Sequence, residues 1–123
     1  MLLAWDPVTQ TERWRALGGG GAGGGTVTTA ANLVFQVIND GRLMAYTADK
    51  GEKLLEIQTG LRGGMAPPIT FTLDGKQHVA LMGGTGQAGG GGPAATQNAT
   101  PAPPPMRPKL LTFVLDGKEA LPR

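Results

Sequence analysis

The chain has 123 residues, a formal net charge of +2 and no cysteine. Eleven Lys and Arg against nine Asp and Glu form no basic run of the kind that binds nucleic acid. The lack of cysteine excludes disulfides, thiolate metal sites and cysteine nucleophiles, a single histidine excludes a histidine metal cluster, and no apolar run approaches the roughly 18 residues of a transmembrane helix.

Glycine and proline are concentrated in two stretches, although 21 Gly and 10 Pro are a proportion near that of low-complexity sequence. Residues 18–25 and 83–108 hold seven glycines each, and the second stretch also holds six of the ten prolines. Since 40% of the chain is hydrophobic, the remainder contains enough apolar sequence for one small core or a few modules of a larger one, but not for two independent domains.

Outside these stretches, short β-favouring runs are separated by turn residues, and no segment has the 3.6-residue periodicity of a helix. The runs are 26–29, 33–38, 42–46, 69–73 and 78–82. Asn39-Asp40-Gly41 and Asp74-Gly75 predict tight turns, because glycine tolerates the positive φ that such turns need. The pattern predicts an all-β fold.

Two internal echoes suggest a structural repeat. Residues 4–14 align with residues 45–55 at an offset of 41, and the Phe-Thr-Leu-Asp-Gly-Lys of 71–76 is echoed by Phe-Val-Leu-Asp-Gly-Lys at 113–118. A strand-rich unit of this length is typical of the four-stranded blade of a β-propeller. Chance recurrence of an Asp-Gly-Lys hairpin is the alternative for the second echo.

The sequence therefore predicts antiparallel four-stranded propeller blades in a partial, open arc of about two to three blades. Residues 1–82 would form blade repeats, 83–108 a Gly/Pro-rich insertion or loop, and 109–123 the final propeller strand and a tail. Such an arc leaves strand edges and blade faces uncovered, so we expect self-association through them when the missing blades are absent.

The first repeat resembles the tryptophan-docking motif of the eight-bladed quinoprotein dehydrogenases, Ala-aromatic-Asp-x-x-Thr-Gly-x-x-x-Trp. Residues 2–14 resemble one copy, with Gln10 in the glycine position, and residues 45–55 resemble the next, with Leu55 in place of Trp. Three further segments resemble, in order, the C-terminal part of the alcohol-oxidising members of this family; they are 24–42, 66–80 and 109–122.

The resemblance implies a C-terminal fragment of a periplasmic oxidoreductase that oxidises alcohols with pyrroloquinoline quinone and calcium and passes electrons to a cytochrome. A full propeller needs about eight units of this period, so we expect the fragment to need the missing blades and to be inactive alone. From its first residues we expect no signal peptide within this chain. A non-catalytic propeller-repeat module for interaction or scaffolding is the alternative.

The resemblance assigns no catalytic base and no calcium ligand to this chain, because the family draws them from other blades. The aspartates at 6, 40, 74 and 116 have the sequence context of turn residues. By resemblance, Gly24, Gly25 and Thr26 lie beside the quinone, where glycine lets the backbone approach a flat ligand. A glycine loop that binds no ligand fits these residues equally well.

Structural roles are expected for Trp14, Leu55 and His78. Trp14 is expected to pack between neighbouring blades as a large buried aromatic, and Leu55 to fill the same position in the next copy less completely. His78 is expected on the face of a strand rather than in a catalytic site.

Overall fold

Nine β-strands and no helix make up the described part of the chain, which comprises residues 1–17, 23–84, 107–114, 116–118 and 121 of a computed structural model. The strands are β1 (Leu2–Asp6), β2 (Thr11–Ala16), β3 (Gly25–Thr29), β4 (Leu33–Val37), β5 (Arg42–Thr47), β6 (Lys53–Gln58), β7 (Ile69–Leu73), β8 (Lys76–Gly83) and β9 (Lys109–Val114). They form three antiparallel sheets: sheet A (β1-β2), sheet B (β3-β4-β5-β6) and sheet C (β7-β8-β9). The all-β prediction is confirmed.

The predicted tight turns join consecutive strands. Between β7 and β8, Asp74 and Gly75 have φ of 51° and 74°, the paired left-handed conformation of a two-residue hairpin. Between β4 and β5, Asp40 accepts a hydrogen bond from the backbone N–H of Arg42 at 3.1 Å. An aspartate side chain at such a position imitates a backbone turn bond.

The 41-residue echo is a repeat of structure as well as of sequence. In sheet A, Ala4 lies opposite Trp14, and in sheet B, Ala45 lies opposite Leu55. The register shifts directly after each alanine, so the two strand pairs share the same irregularity. Trp14 and Leu55 therefore occupy equivalent positions on equivalent strands.

The second echo does not measure the length of a blade. Residues 71–76 span the β7–β8 hairpin and residues 113–118 include the end of β9, so both belong to sheet C. What they share is a turn aspartate with positive φ, 51° at Asp74 and 66° at Asp116. Reading this echo as a blade repeat was wrong, and the recurring-turn alternative accounts for it.

Two apolar clusters hold the sheets together. The larger joins sheets B and C, and its buried members are Val37, Leu43, Leu61, Leu81, Phe35, Ala45, Met65, Val79 and Leu111. The smaller joins sheets A and B and consists of Ile38, Met44 and Tyr46, with Leu2 and Ala16 packed against it. Burial of each large aliphatic side chain stabilises the fold by about 1.5–3 kcal/mol.

The segment between sheets B and C is fastened to the β4–β5 turn. Gly41 has φ of +90°, and a Cβ there would lie 1.9 Å from the carbonyl oxygen of Leu61. The carbonyl of Gly41 accepts hydrogen bonds from both the backbone N–H and the hydroxyl of Thr59, at 3.0 and 2.6 Å. Glycine is required here because the two backbone segments touch.

The two outward faces of the structure expose large hydrophobic side chains. On sheet A, Leu3 and Trp5 are 42% and 55% exposed, and on sheet C, Ile69, Leu73 and Leu110 are 59%, 56% and 67% exposed. Apolar area of this kind marks a contact surface. The open blade faces anticipated from the sequence are therefore present.

The predicted insertion at 83–108 is described only at its ends. Gly83 is the last residue of β8, Gly84 follows it, and residues 107–108 precede β9. The rest of the insertion lies outside the described residues, as do residues 18–22 of the first glycine stretch. Within the parts that are described, no helix is long and apolar enough to cross a membrane.

Candidate functional site

Trp14 joins sheet A to sheet B through a docked indole ring. Its Nε1–H donates a hydrogen bond to the carbonyl of Ala48 at 2.8 Å, and its ring stacks on Tyr46 with centroids 6.4 Å apart. A Cβ on Gly51 would come within 2.5 Å of the indole. The expected packing of Trp14 between neighbouring sheets is confirmed, but the ring is half-buried rather than buried as expected. We call this arrangement the Trp14 dock.

The floor of the Trp14 dock is a braced turn. Gly51 has φ of +72°, and its N–H donates to the carbonyl of Thr47 at 2.9 Å. The side chain of Asn32 donates to the Asp49 carboxylate at 2.9 Å, which lowers the pKa of Asp49. Sequence reasoning missed Gly51 as the partner of Trp14, although the signal was there: Gly51 completes the Ala-aromatic-x-x-x-x-Gly pattern of residues 45–51.

The residues expected beside a cofactor lie at the start of β3, an edge strand of sheet B. Gly24 is buried, and a Cβ on it would lie 2.8 Å from the carbonyl oxygen of Ala66 and 2.9 Å from the Cβ of Met65. Its N–H donates to the carbonyl of Val37 at 2.9 Å. The packing of the chain itself therefore explains why residue 24 is glycine.

Gly25 and Thr26 are exposed at the start of β3. Gly25 has φ of +103°, and the three atoms nearest to a Cβ on it would all belong to Pro67, the first at 3.3 Å. β3 pairs with β4 along one edge, and no other described strand pairs with the opposite edge. The Thr26 hydroxyl and that edge offer neutral hydrogen-bonding groups and no charge.

The four aspartates predicted to be turn residues lie in or beside turns. Asp6 accepts two backbone N–H bonds from the turn after β1, and these bonds lower its pKa. Asp40, Asp74 and Asp116 lie within turns. Among the residues that the structure describes, no group of three acidic, His or Cys side chains could hold a metal ion.

His78 lies on a strand face, as expected. Its ring stacks nearly parallel on Phe71, with centroids 5.1 Å apart and planes 9° apart. Its Nδ1 lies 3.0 Å from the carbonyl of Lys76. The ring therefore packs across the β7–β8 pair and faces no acidic partner in that contact.

These features define a segment of a β-propeller in which one blade is joined to the next by a docked tryptophan. The chain is 46% identical to the quinohemoprotein alcohol dehydrogenase ADH IIB of Pseudomonas putida, covering 98% of this chain and 17% of that protein. It is 40% identical to the 1-butanol dehydrogenase (cytochrome c) of Thauera butanivorans, covering 98% and 16%. No protein-family model matches the chain.

A solved structure gives the same result in three dimensions. The crystal structure of quinohemoprotein alcohol dehydrogenase from Comamonas testosteroni matches with a TM-score of 0.74 and 40% identity, over 98% of this chain and 17% of that one. The chain belongs to the quinoprotein alcohol dehydrogenase family. It spans about one sixth of the length of the relatives it matches.

Proposed function

We propose that this chain is the C-terminal part of a pyrroloquinoline quinone-dependent alcohol dehydrogenase of the periplasm and acts there as a set of propeller blades. The observation that supports this most is the coverage: 98% of the chain aligns with 17% of the length of a quinohemoprotein alcohol dehydrogenase, at a TM-score of 0.74. On this proposal the catalytic base and the calcium ligands come from the rest of the propeller.

The two outward apolar faces would contact the missing blades. Leu3 and Trp5 on sheet A and Ile69 and Leu110 on sheet C are each more than 40% exposed. Covering each of these side chains would contribute about 1–3 kcal/mol, which gives the separate chain a strong drive to associate. In the absence of the other blades, self-association would cover the same faces.

The start of β3 would contact the quinone. Gly25 and Thr26 offer an exposed backbone edge and a hydroxyl, and Gly24 fixes their position by packing on Met65 and Ala66. When bound, the quinone supplies the hydride-accepting centre for alcohol oxidation, and the electrons leave to a cytochrome. The part of this chain is to hold one side of that site in place.

A chimera tests the proposal. The matching segment of the Comamonas testosteroni enzyme is replaced by this chain, and dye-linked alcohol oxidation is measured with added quinone and calcium. We expect turnover by the chimera and none by the separate chain above a no-protein control. A chimera that assembles but never oxidises alcohol would favour the non-catalytic scaffold, and turnover by the separate chain would overturn the fragment proposal.

The cofactor contact has a matched test on one strand. Thr26 and Thr28 lie on the same face of β3 and are both exposed. Because one lost hydrogen bond costs about 1 kcal/mol, Thr26→Val in the chimera should weaken quinone binding about fivefold, whereas Thr28→Val should leave it unchanged. Equal affinities in the two variants would remove Thr26 from the site.

A further inference from the structure

A cavity of about 430 Å³ lies between sheets B and C, beside Leu55. Its lining is mostly apolar and includes Phe35, Leu55, Ile57, Val79, Phe113 and Gly117. The volume falls within the range of small-molecule sites in proteins. We call this space the Leu55 pocket.

The Leu55 pocket and the Trp14 dock each have an aromatic side chain at an equivalent strand position. In sheet B, Tyr46 lies opposite Val34, and in sheet C, Phe113 lies opposite Val79. Tyr46 contacts the Trp14 ring, and Phe113 lines the pocket beside Leu55. The third strand of each sheet therefore presents an aromatic ring toward the preceding sheet at the same place.

A glycine closes the turn that follows each of those third strands, four residues after the strand end in sheet B and three residues after it in sheet C. Gly51, below the Trp14 ring, donates its N–H to the carbonyl of Thr47, the last residue of β5. Gly117, in the pocket lining, donates its N–H to the carbonyl of Val114, the last residue of β9. A Cβ on Gly51 would meet the Trp14 ring, whereas a Cβ on Gly117 would meet Val114 of its own turn at 3.1 Å.

The difference lies in the residue that enters from the neighbouring sheet. Trp14 and Leu55 both lie opposite an alanine, at equivalent positions. Leucine has no ring, so the space that the indole fills in the first site stays open in the second, and Leu55 remains 40% exposed. A cavity lined by apolar atoms and missing a side chain takes up apolar molecules of matching shape.

We propose that the Leu55 pocket binds an uncharged planar aromatic compound of indole size, with its ring in the place that Trp14 occupies in the other site. The lining also contains Gln77 and Asp116, whose oxygens can accept one N–H or O–H bond from the ligand. A carboxylate on the ligand is disfavoured, because Asp116 places a negative charge in the same wall.

Indole is the probe for this site, titrated into the full chain and followed by NMR. For a ligand of this size we expect saturable binding with a Kd on the order of 0.1–1 mM. Intermolecular contacts should join the indole protons to the methyl groups of Leu55, Ile57 and Val79. Contacts confined to Leu110 or Ile69 would place indole on the outward face and overturn the proposal.

Two tryptophan variants provide the matched comparison. Leu55→Trp fills the pocket and should weaken indole binding at least tenfold, whereas Leu54→Trp, at a 56% exposed neighbouring position, should leave the Kd unchanged. Unchanged binding in Leu55→Trp would reject the site. The contacts in the unmodified chain decide the question even where a variant folds poorly.

Discussion

Sheet A meets sheet B, and sheet B meets sheet C, through strand pairs of the same register. Different interactions hold these two joints together. Between sheets A and B the buried cluster is small, and Trp14 adds a stacked ring and a hydrogen bond to Ala48. Between sheets B and C the cluster is large, and Leu55 leaves a cavity at the equivalent place. A docked tryptophan therefore matters most where the apolar core is thinnest.

Of the changes predicted here, removal of the Trp14 ring should lower the stability of the chain most. Trp14→Ala deletes the ring over Gly51 and leaves the Ala48 carbonyl without its partner, so we expect the free energy of unfolding to fall by about 3 kcal/mol. Urea denaturation followed by circular dichroism measures it. The control, Trp5→Ala on the outward face, should cost less than about 1 kcal/mol. Equal losses would show that the Trp14 dock contributes nothing specific.

The floor of the Trp14 dock offers the next test. Gly51→Ala places a Cβ 2.5 Å from the indole, whereas Gly60→Ala, at a nearly equal φ of +76°, meets nothing within 4 Å. Both variants carry the cost of left-handed backbone, and only the first also disturbs Trp14. We expect Gly51→Ala to be about 2 kcal/mol less stable than Gly60→Ala by the same denaturation measurement. Matching stabilities would mean that the ring moves away without cost.

Filling the Leu55 pocket should give the joint between sheets B and C the ring that the joint between sheets A and B already has. Leu55→Trp supplies the missing ring, so we expect the free energy of unfolding to rise by about 1 kcal/mol. Leu54→Trp, which adds a ring at an exposed position, should change stability by less than about 0.5 kcal/mol. A destabilised Leu55→Trp would show that the pocket cannot take an indole from β6.

The smallest effect concerns the turn between β1 and β2. Hydrogen bonds from the backbone N–H groups of Thr9 and Val8 lower the pKa of Asp6, so the ionised carboxylate stabilises the folded state. This stabilisation is fully present above the unfolded-state pKa of about 3.9 and is lost as the pH falls through the lower folded value. The stability difference between the unmodified chain and Asp6→Ala should therefore shrink with acidification. If the stability difference stays constant as the pH falls, the charge of the Asp6 carboxylate does not stabilise the folded state.

Sequence reasoning located the strands and turns because their signals are local. The Asp74-Gly75 hairpin and the run of strands from 26 to 46 depend on turn chemistry and β propensity within a few residues. The 41-residue repeat was also visible, because it preserves an alanine opposite Trp14 or Leu55. Such local patterns are enough to locate the strands along the sequence.

Contacts between distant segments could not be predicted in the same way. The cofactor-side prediction for Gly24 came from a resemblance, and no local pattern showed that Met65 and Ala66, about forty residues away, pack against it. The echo at 113–118 was wrongly interpreted as a blade repeat, because turn chemistry does not reveal which sheet a strand joins. The Leu55 pocket depends on β9 returning to sheet C after the Gly/Pro-rich stretch, which no local pattern specifies.

The close contact between Gly41 and Leu61 bears on how the chain comes apart. Leu61 belongs to the large cluster, and its carbonyl touches the β4–β5 turn, so opening that turn would disturb both sheets B and C. The two sheets should then exchange their amide hydrogens together, as one cooperative unit. Among the described residues, sheet A has no backbone contact like that between Gly41 and Leu61. Its amide hydrogens should therefore exchange before those of sheets B and C, so sheet A is the part of the chain that opens first.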